Sequence, residues 1–204
     1  MTDEERFHRR HLPHVYLPNA VYFITFRLAG SLPQSVIGAL REKVRLQKDS
    51  WIGFVDYERA LEESVCDVHW LSKEEIADLV AESIQYRDRV DYDLAAYCIM
   101  PNHVHMVIGV GEHELFRPVG QIDNLSNKDI SKIMQSLKRY TATRANEILH
   151  RIGAFWQDES FDHIIRSETE LDRIVKYVVY NPVKAGLVKE WREWKWSYTI
   201  FDLE

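Results

Sequence analysis

Residues 92–110 read Tyr-Asp-Leu-Ala-Ala-Tyr-Cys-Ile-Met-Pro-Asn-His-Val-His-Met-Val-Ile-Gly-Val, and the fold turns on this stretch. Tyr92 to Met100 and His103 to Val110 are apolar, with aromatic and β-branched members, while Pro101-Asn102 between them is turn chemistry. The spacing predicts two strands joined as an antiparallel hairpin. Side chains alternate faces along an extended strand, so His103 and His105 point the same way and Val104 turns to the opposite, packed face.

Working outward, Val21 to Leu28 (VYFITFRL) predicts a buried strand ending before Gly30. Pro33 opens a helix to about Lys48, with Val36, Ile37, Leu40 and Val44 at helical spacing. Residues 49–70 read as irregular. Ser72-x-x-Glu75 is a capping-box pattern for a helix to about Arg89, and 111–125 is loop. Ser126-x-x-Asp129 predicts the cap of a long helix through Ile133, Leu137 and Ile148, stopped at Gly153. A short strand is expected within Phe155 to Arg166. Ser167-x-x-Glu170 then opens a helix through Ile174, Tyr177 and Val178 that Asn181-Pro182 should end. Trp191, Trp194, Trp196 and Tyr198 form an aromatic tail expected to pack on the body.

This order predicts an α+β fold, a ferredoxin-like sandwich: an antiparallel sheet with helices on one face and the other face left for a ligand. One domain over 1–204 is expected, with a core at 10–166, an insert at about 49–89 and a helical, aromatic C-terminal extension at 167–204. No internal repeat or Gly/Ser linker interrupts the chain.

The 204 residues are 46% hydrophobic and 28% charged, which suits a globular chain and excludes a disordered one. Cys66 and Cys98 are far apart, so a disulfide scaffold is not expected. The charged start carries no signal-peptide pattern and no run is apolar enough to span a membrane, so a cytoplasmic home is expected. The net charge of −6 argues against a uniformly basic nucleic-acid binder. The charge is uneven, however. Eleven acidic residues crowd the stretch Glu58 to Asp93, whereas Lys128 to Arg151 holds six basic residues against two acidic ones. A local basic face is therefore compatible with the acidic total.

Two imidazoles on one strand face can hold a divalent ion, although alone they could equally be polar residues of an exposed sheet face. Tyr140, at the edge of the long helix's apolar stripe, is either a rim tyrosine or a nucleophile. Lys138, Arg139 and Arg144 nearby would favour the phenolate and hold a phosphate.

The pairing of a His-hydrophobic-His strand with a downstream helical tyrosine resembles the single-tyrosine HUH nucleases. Further stretches are similar to one branch, the REP-associated tyrosine transposases. They are Arg10-His-Leu-Pro-His14 with Tyr22-Phe-Ile-Thr-Phe-Arg27, then Met100-Pro-Asn-His-Val-His105, then Leu137-Lys-Arg-Tyr-Thr-Ala142. Phe155-Trp-Gln157, Phe161-Asp-His163 and Arg166 follow, and Tyr180-Asn-Pro-Val-Lys-Ala-Gly-Leu-Val188 closes the set.

The resemblance implies a DNA endonuclease and strand transferase acting on single-stranded or hairpin DNA of the repetitive extragenic palindrome type, as a monomer. Tyr140 would form a 5′-phosphotyrosine link, and His103 and His105 would hold Mg²⁺ or Mn²⁺. Some relatives place a polar metal ligand one helical turn after the tyrosine. Here that position is Arg144, a cation, so the third ligand stays open among Glu147, Asn146 and His163, with Asp162 also near. DNA contacts are expected from Arg10, His14, Lys138, Arg139, Arg144, Arg166 and Lys184. The alternative is a domesticated, non-cleaving hairpin-DNA-binding protein with a regulatory role; a small-substrate metal hydrolase ranks below both.

Overall fold

The computed structural model describes residues 6–9, 13–33, 36, 38, 59–60, 67–113, 115–116 and 129–203. Most of the expected helix from Pro33 to Lys48, much of the irregular stretch after it and most of the loop at 111–125 lie outside the described residues.

Strands β1 (Arg6–Arg9) and β2 (Pro13–Tyr16) pair with each other as a small antiparallel ribbon. The main sheet holds β3 (Val21–Arg27), β4 (Asp93–Ile99), β5 (His103–Gly109), β6 (Phe161–Ile165) and β7 (Ser197–Thr199). Its order is β6-β3-β5-β4-β7, with every neighbouring pair antiparallel. The hairpin is as expected, and β3 pairs on its other side to put His105 opposite Thr25 and His103 opposite Arg27. The class is α+β, an antiparallel sheet layered with helices.

Alternation along the strands divides the interior into two cores. On one face Tyr22, Ile24 and Phe26 of β3 and Val104, Met106 and Ile108 of β5 pack against two helices, α1 (Glu74–Tyr86) and α2 (Ile130–Ile148). On the other face Phe23 of β3, Val107 of β5 and Phe161 and Ile165 of β6 meet Leu171, Ile174, Val175 and Val178 of α3 (Glu168–Lys184). The two described helices that precede β6 thus share one face. The face expected to stay open is instead roofed by the helix of the C-terminal extension, because α3 carries its own apolar stripe and must bury it.

Helix ends depart from the sequence reading in instructive ways. Ser72 lies in a 3₁₀ turn, and α1 begins one residue after Lys73 without a side-chain cap. Asp129 itself caps α2, accepting from the Ser131 N–H at 2.9 Å. Ser167 caps α3 as expected. Asn181-Pro182 does not stop α3, which continues through Pro182 to Lys184. Asn181 and Pro182 are both on the buried face, so packing outweighs the local cost of the proline. The chain turns at Gly186, whose φ is +70°.

The aromatic tail is packed, as expected. The Trp194 indole N–H donates to the Ile99 carbonyl at 2.9 Å, and that of Trp196 donates to Asp78 at 2.8 Å. Tyr198 stacks on Tyr97 with ring centroids 5.6 Å apart. Among the described residues no helix is long and apolar enough to cross a membrane.

Candidate active site

The site begins with strand periodicity. His103 and His105 share the face of β5 that looks toward α3, and both are buried. Their Nε2 atoms face each other at 3.0 Å. The outer nitrogen of each ring is held: Nδ1 of His103 lies 2.6 Å from the Asn102 Oδ1, and Nδ1 of His105 lies 2.8 Å from the Thr25 hydroxyl. An amide oxygen only accepts, so His103 donates from Nδ1 and its neutral ring keeps a lone pair on Nε2. A hydroxyl both donates and accepts, so His105 can carry its proton on Nε2 and donate it to His103, or present a second lone pair to a shared cation. Bonds of this type, fixing the far side of an imidazole, are what orient metal-ligating histidines.

Helix α3 completes the site. Tyr177 sets its ring against His105, with centroids 5.6 Å apart and planes at 67°, and its edge against Phe23 at 6.3 Å. One turn later Asn181, 1% exposed, brings its Nδ2 to 3.3 Å from the His105 Nε2. The Asn181 Oδ1 is buried without a hydrogen-bond partner. Turning the amide over exchanges only N and O, and would aim that oxygen at the imidazole pair. Among the described residues no three His, Cys, Asp or Glu side chains converge on a common point. Two imidazoles and an orphaned amide oxygen nevertheless form a donor set that fits a divalent cation of the Mg²⁺ or Mn²⁺ kind. At the end of α3, the Lys184 ammonium lies 5.9 Å from the centre of the Tyr177 ring.

Tyr140 requires correction. It lies on α2, whose apolar side is buried in the opposite core, so the sheet separates it from the histidine pair. Its ring is half exposed and sits under the Arg87 guanidinium, 5.9 Å away. The same placement removes two of the expected third ligands. Asn146 is tied to Arg151 and to the Gly153 carbonyl, and Glu147 pairs with Arg144. His163 is on the correct face but bonds to Glu170 of α3 at 2.9 Å. Burial works against ionisation of Glu170, yet the Arg166 N–H and His163 hold its carboxyl below the ordinary carboxylate range. The expected strand neighbour Asp162 sits opposite Ile24, on the face away from the pair.

The expected DNA contacts scatter. Lys138 is consumed inside the fold, donating to the carbonyls of Gln157 at 2.6 Å and Asp158 at 2.9 Å. Burial, with the Arg27 charge nearby, lowers its pKa to about 8 against the pull of Asp158. Arg139 and Arg144 border an open groove on the outer side of α2 together with Lys132 and Tyr140. Arg166 contributes its backbone N–H to Glu170 and exposes its side chain. Arg10 lies outside the described residues, and His14 is described only as backbone in β2. Among the described side chains of this group, Lys184 alone is brought to the tyrosine beside the pair.

The residues that sequence reasoning missed are Tyr177, Asn181, Thr25 and Asn102. Tyr177 and Asn181 had a legible signal. They are four residues apart on one helical face, so the amide follows the tyrosine by one turn.

The site is thus an antiparallel sheet carrying a buried His-x-His pair, faced by a tyrosine and an amide from one covering helix. The family model described as "Transposase IS200 like" matches residues 68–181, more than half of the chain, and the chain belongs to that family. It is 26% identical over 106 residues to a Haemophilus influenzae protein provisionally named a REP-associated tyrosine transposase. It is also 26% identical over 113 residues to the REP-associated tyrosine transposase of Escherichia coli. These alignments take in 52% and 54% of this chain and span 58% and 56% of those relatives' lengths. A solved structure of a REP-associated tyrosine transposase bound to a REP hairpin aligns over 97% of this chain and 82% of its own, at 17% identity and a TM-score of 0.46.

Proposed function

We propose that this transposase cleaves and rejoins single-stranded DNA beside a hairpin, with Tyr177 as the nucleophile and His103, His105 and Asn181 as the holders of Mg²⁺ or Mn²⁺. The observation that carries the reading is the convergence of Tyr177 and Asn181 on the His105 ring from successive turns of α3. Bound there, a divalent ion would supply Lewis-acid polarisation of a phosphate oxygen and offset charge growing in the transition state.

The protein's own groups define the rest. Thr25 and Asn102 fix the imidazoles so that both Nε2 atoms point inward. The Tyr177 ring packs against the neighbouring rings of Phe23 and His105, which limits its rotamers and pre-positions the phenol. Attack by the Tyr177 oxygen forms an O–P bond as the bond from phosphorus to the 3′ oxygen breaks. The phenol gives up its proton, and the departing oxygen takes one up as a 3′-hydroxyl. The phosphotyrosine ester conserves the bond, so a 3′-hydroxyl reverses the step without ATP. Lys184, beside the ring, favours the phenolate and attracts the backbone phosphate. Hairpin DNA as the partner, and action as a monomer, are proposed from the names of the relatives and the family resemblance.

The test is incubation of purified full-length protein with Mn²⁺ and a hairpin oligonucleotide carrying an unpaired flank. A covalent protein–DNA product is expected, lost on His103→Ala/His105→Ala substitution while DNA binding persists. Binding without any covalent product, across several hairpins and metals, would instead favour a non-cleaving hairpin-binding protein.

A further inference from the structure

Beside the pair lies a charged group that the mechanism above does not use. Arg27 ends β3, directly opposite His103 in the sheet register and on the same face, where facing Cβ atoms are about 5 Å apart. It is 2% exposed. Among the described residues its side-chain hydrogen bonds both leave from Nη1: one to the Ser31 hydroxyl at 3.1 Å, the other a long contact of 3.4 Å to the Leu28 carbonyl. Both acceptors are neutral. Among the described residues no carboxylate forms an ion pair with it, and the charge it presents to Lys138 is repulsive. A guanidinium stays ionised at any working pH, and burying one beside neutral acceptors is costly unless an anion arrives to pair with it.

Position says which anion. Tyr177 meets β3 at Phe23, and Arg27 is four residues further along the same strand, about 13 Å away at strand rise. His105, opposite Thr25, lies between, and His103 is level with Arg27 at the end of the pair farther from Phe23. We infer that Arg27 is a phosphate-binding residue that takes a backbone phosphate of the DNA strand on the side of the histidine pair away from Tyr177. The class of ligand is a phosphodiester, and the planar fork of Arg27, with most of its donors uncommitted, suits two phosphate oxygens at once. Arg27 is the direct register partner of His103, so a strand that reaches the pair passes beside it. The inference rests on the proposed function and assigns the strand's path through the site.

The experiment measures binding of the hairpin oligonucleotide by fluorescence anisotropy at several NaCl concentrations, using full-length protein with Tyr177→Phe to prevent cleavage. Arg27→Gln should reduce the magnitude of the slope of log K against log[NaCl] by about 0.7 and weaken binding roughly five-fold near 0.1 M salt. A merely structural tie to Ser31 would leave that slope unchanged. If Arg27→Gln does not fold, Arg27→Lys keeps the charge and the Ser31 bond but loses the fork, and several-fold weaker binding at an unchanged slope is expected. An unaltered slope in folded Arg27→Gln, or parental affinity in Arg27→Lys, overturns the inference and leaves the proposed function standing. Absence of any oligonucleotide binding by the parent protein overturns both.

Discussion

Asn181 reaches the Nε2 of His105 at 3.3 Å from the helical turn that follows Tyr177. That one spacing places a tyrosine and an amide on the same imidazole. In the proposed site Asn181 would also supply the third donor that Arg144, one turn after Tyr140, could not.

Asn181 is therefore expected to govern metal affinity. Asn181→Ala should weaken Mn²⁺ binding about 10-fold or more, whereas Asn181→Asp should retain or tighten it by adding a negative donor. Calorimetric titration of Mn²⁺ into each variant checks this. Equal affinities for all three proteins would place the ligand elsewhere.

Thr25 acts one step back. Its hydroxyl fixes His105 at 2.8 Å, and Thr25→Val preserves the shape while deleting that bond. Loss of such a supporting partner typically costs 10- to 100-fold in metal affinity or activity. The same titration, with circular dichroism to confirm folding, should show a drop of about that size.

Much of the fold was legible because it is written in local chemistry. The alternation of His103, Val104 and His105 fixed their faces, and the hairpin turn at Pro101-Asn102 placed β4 beside β5. The choice between Tyr140 and Tyr177 was not local. Both sit on amphipathic helices, and an apolar stripe states that a helix packs on the sheet without stating which side. Only the two separate cores, with Ile133 and Leu137 in one and Ile174 and Val178 in the other, put Tyr177 and not Tyr140 on the side of the histidine pair. Asn181-Pro182 misled for a related reason. Its local preference is to end a helix, but burial of both residues against the sheet carries α3 onward to Lys184.

Gly109 tests the packing at the other end of β5. A Cβ there would overlap the His113 ring, which is buried and bonds to Asp93 at 3.0 Å. Gly109→Ala should cost about 1–3 kcal/mol by overpacking, read as a lower urea midpoint. An unchanged midpoint would show that the His113 segment yields freely.

Lys138 makes stability depend on pH with a definite sign. Its folded pKa is lowered to about 8 from 10.5, so between these values the unfolded chain binds the extra proton. Wild type should gain stability relative to Lys138→Met as the pH rises from 8 toward 10, by at most about 1.4 kcal/mol per unit. Above pH 10 the buried Tyr22, with its pKa raised to about 12, contributes the opposite trend. Urea midpoints of both proteins at pH 7, 8.5 and 10 check the difference. A flat difference would mean that the amine is not desolvated.

The most direct measurement is mass-spectrometric mapping of the residue joined to DNA after reaction with Mn²⁺ and a hairpin oligonucleotide. The adduct is expected on the peptide containing Tyr177, lost in Tyr177→Phe and retained in Tyr140→Phe. Attachment at Tyr140, or persistence of the adduct in Tyr177→Phe, would contradict the assignment of the chemistry to the α3 face of the sheet.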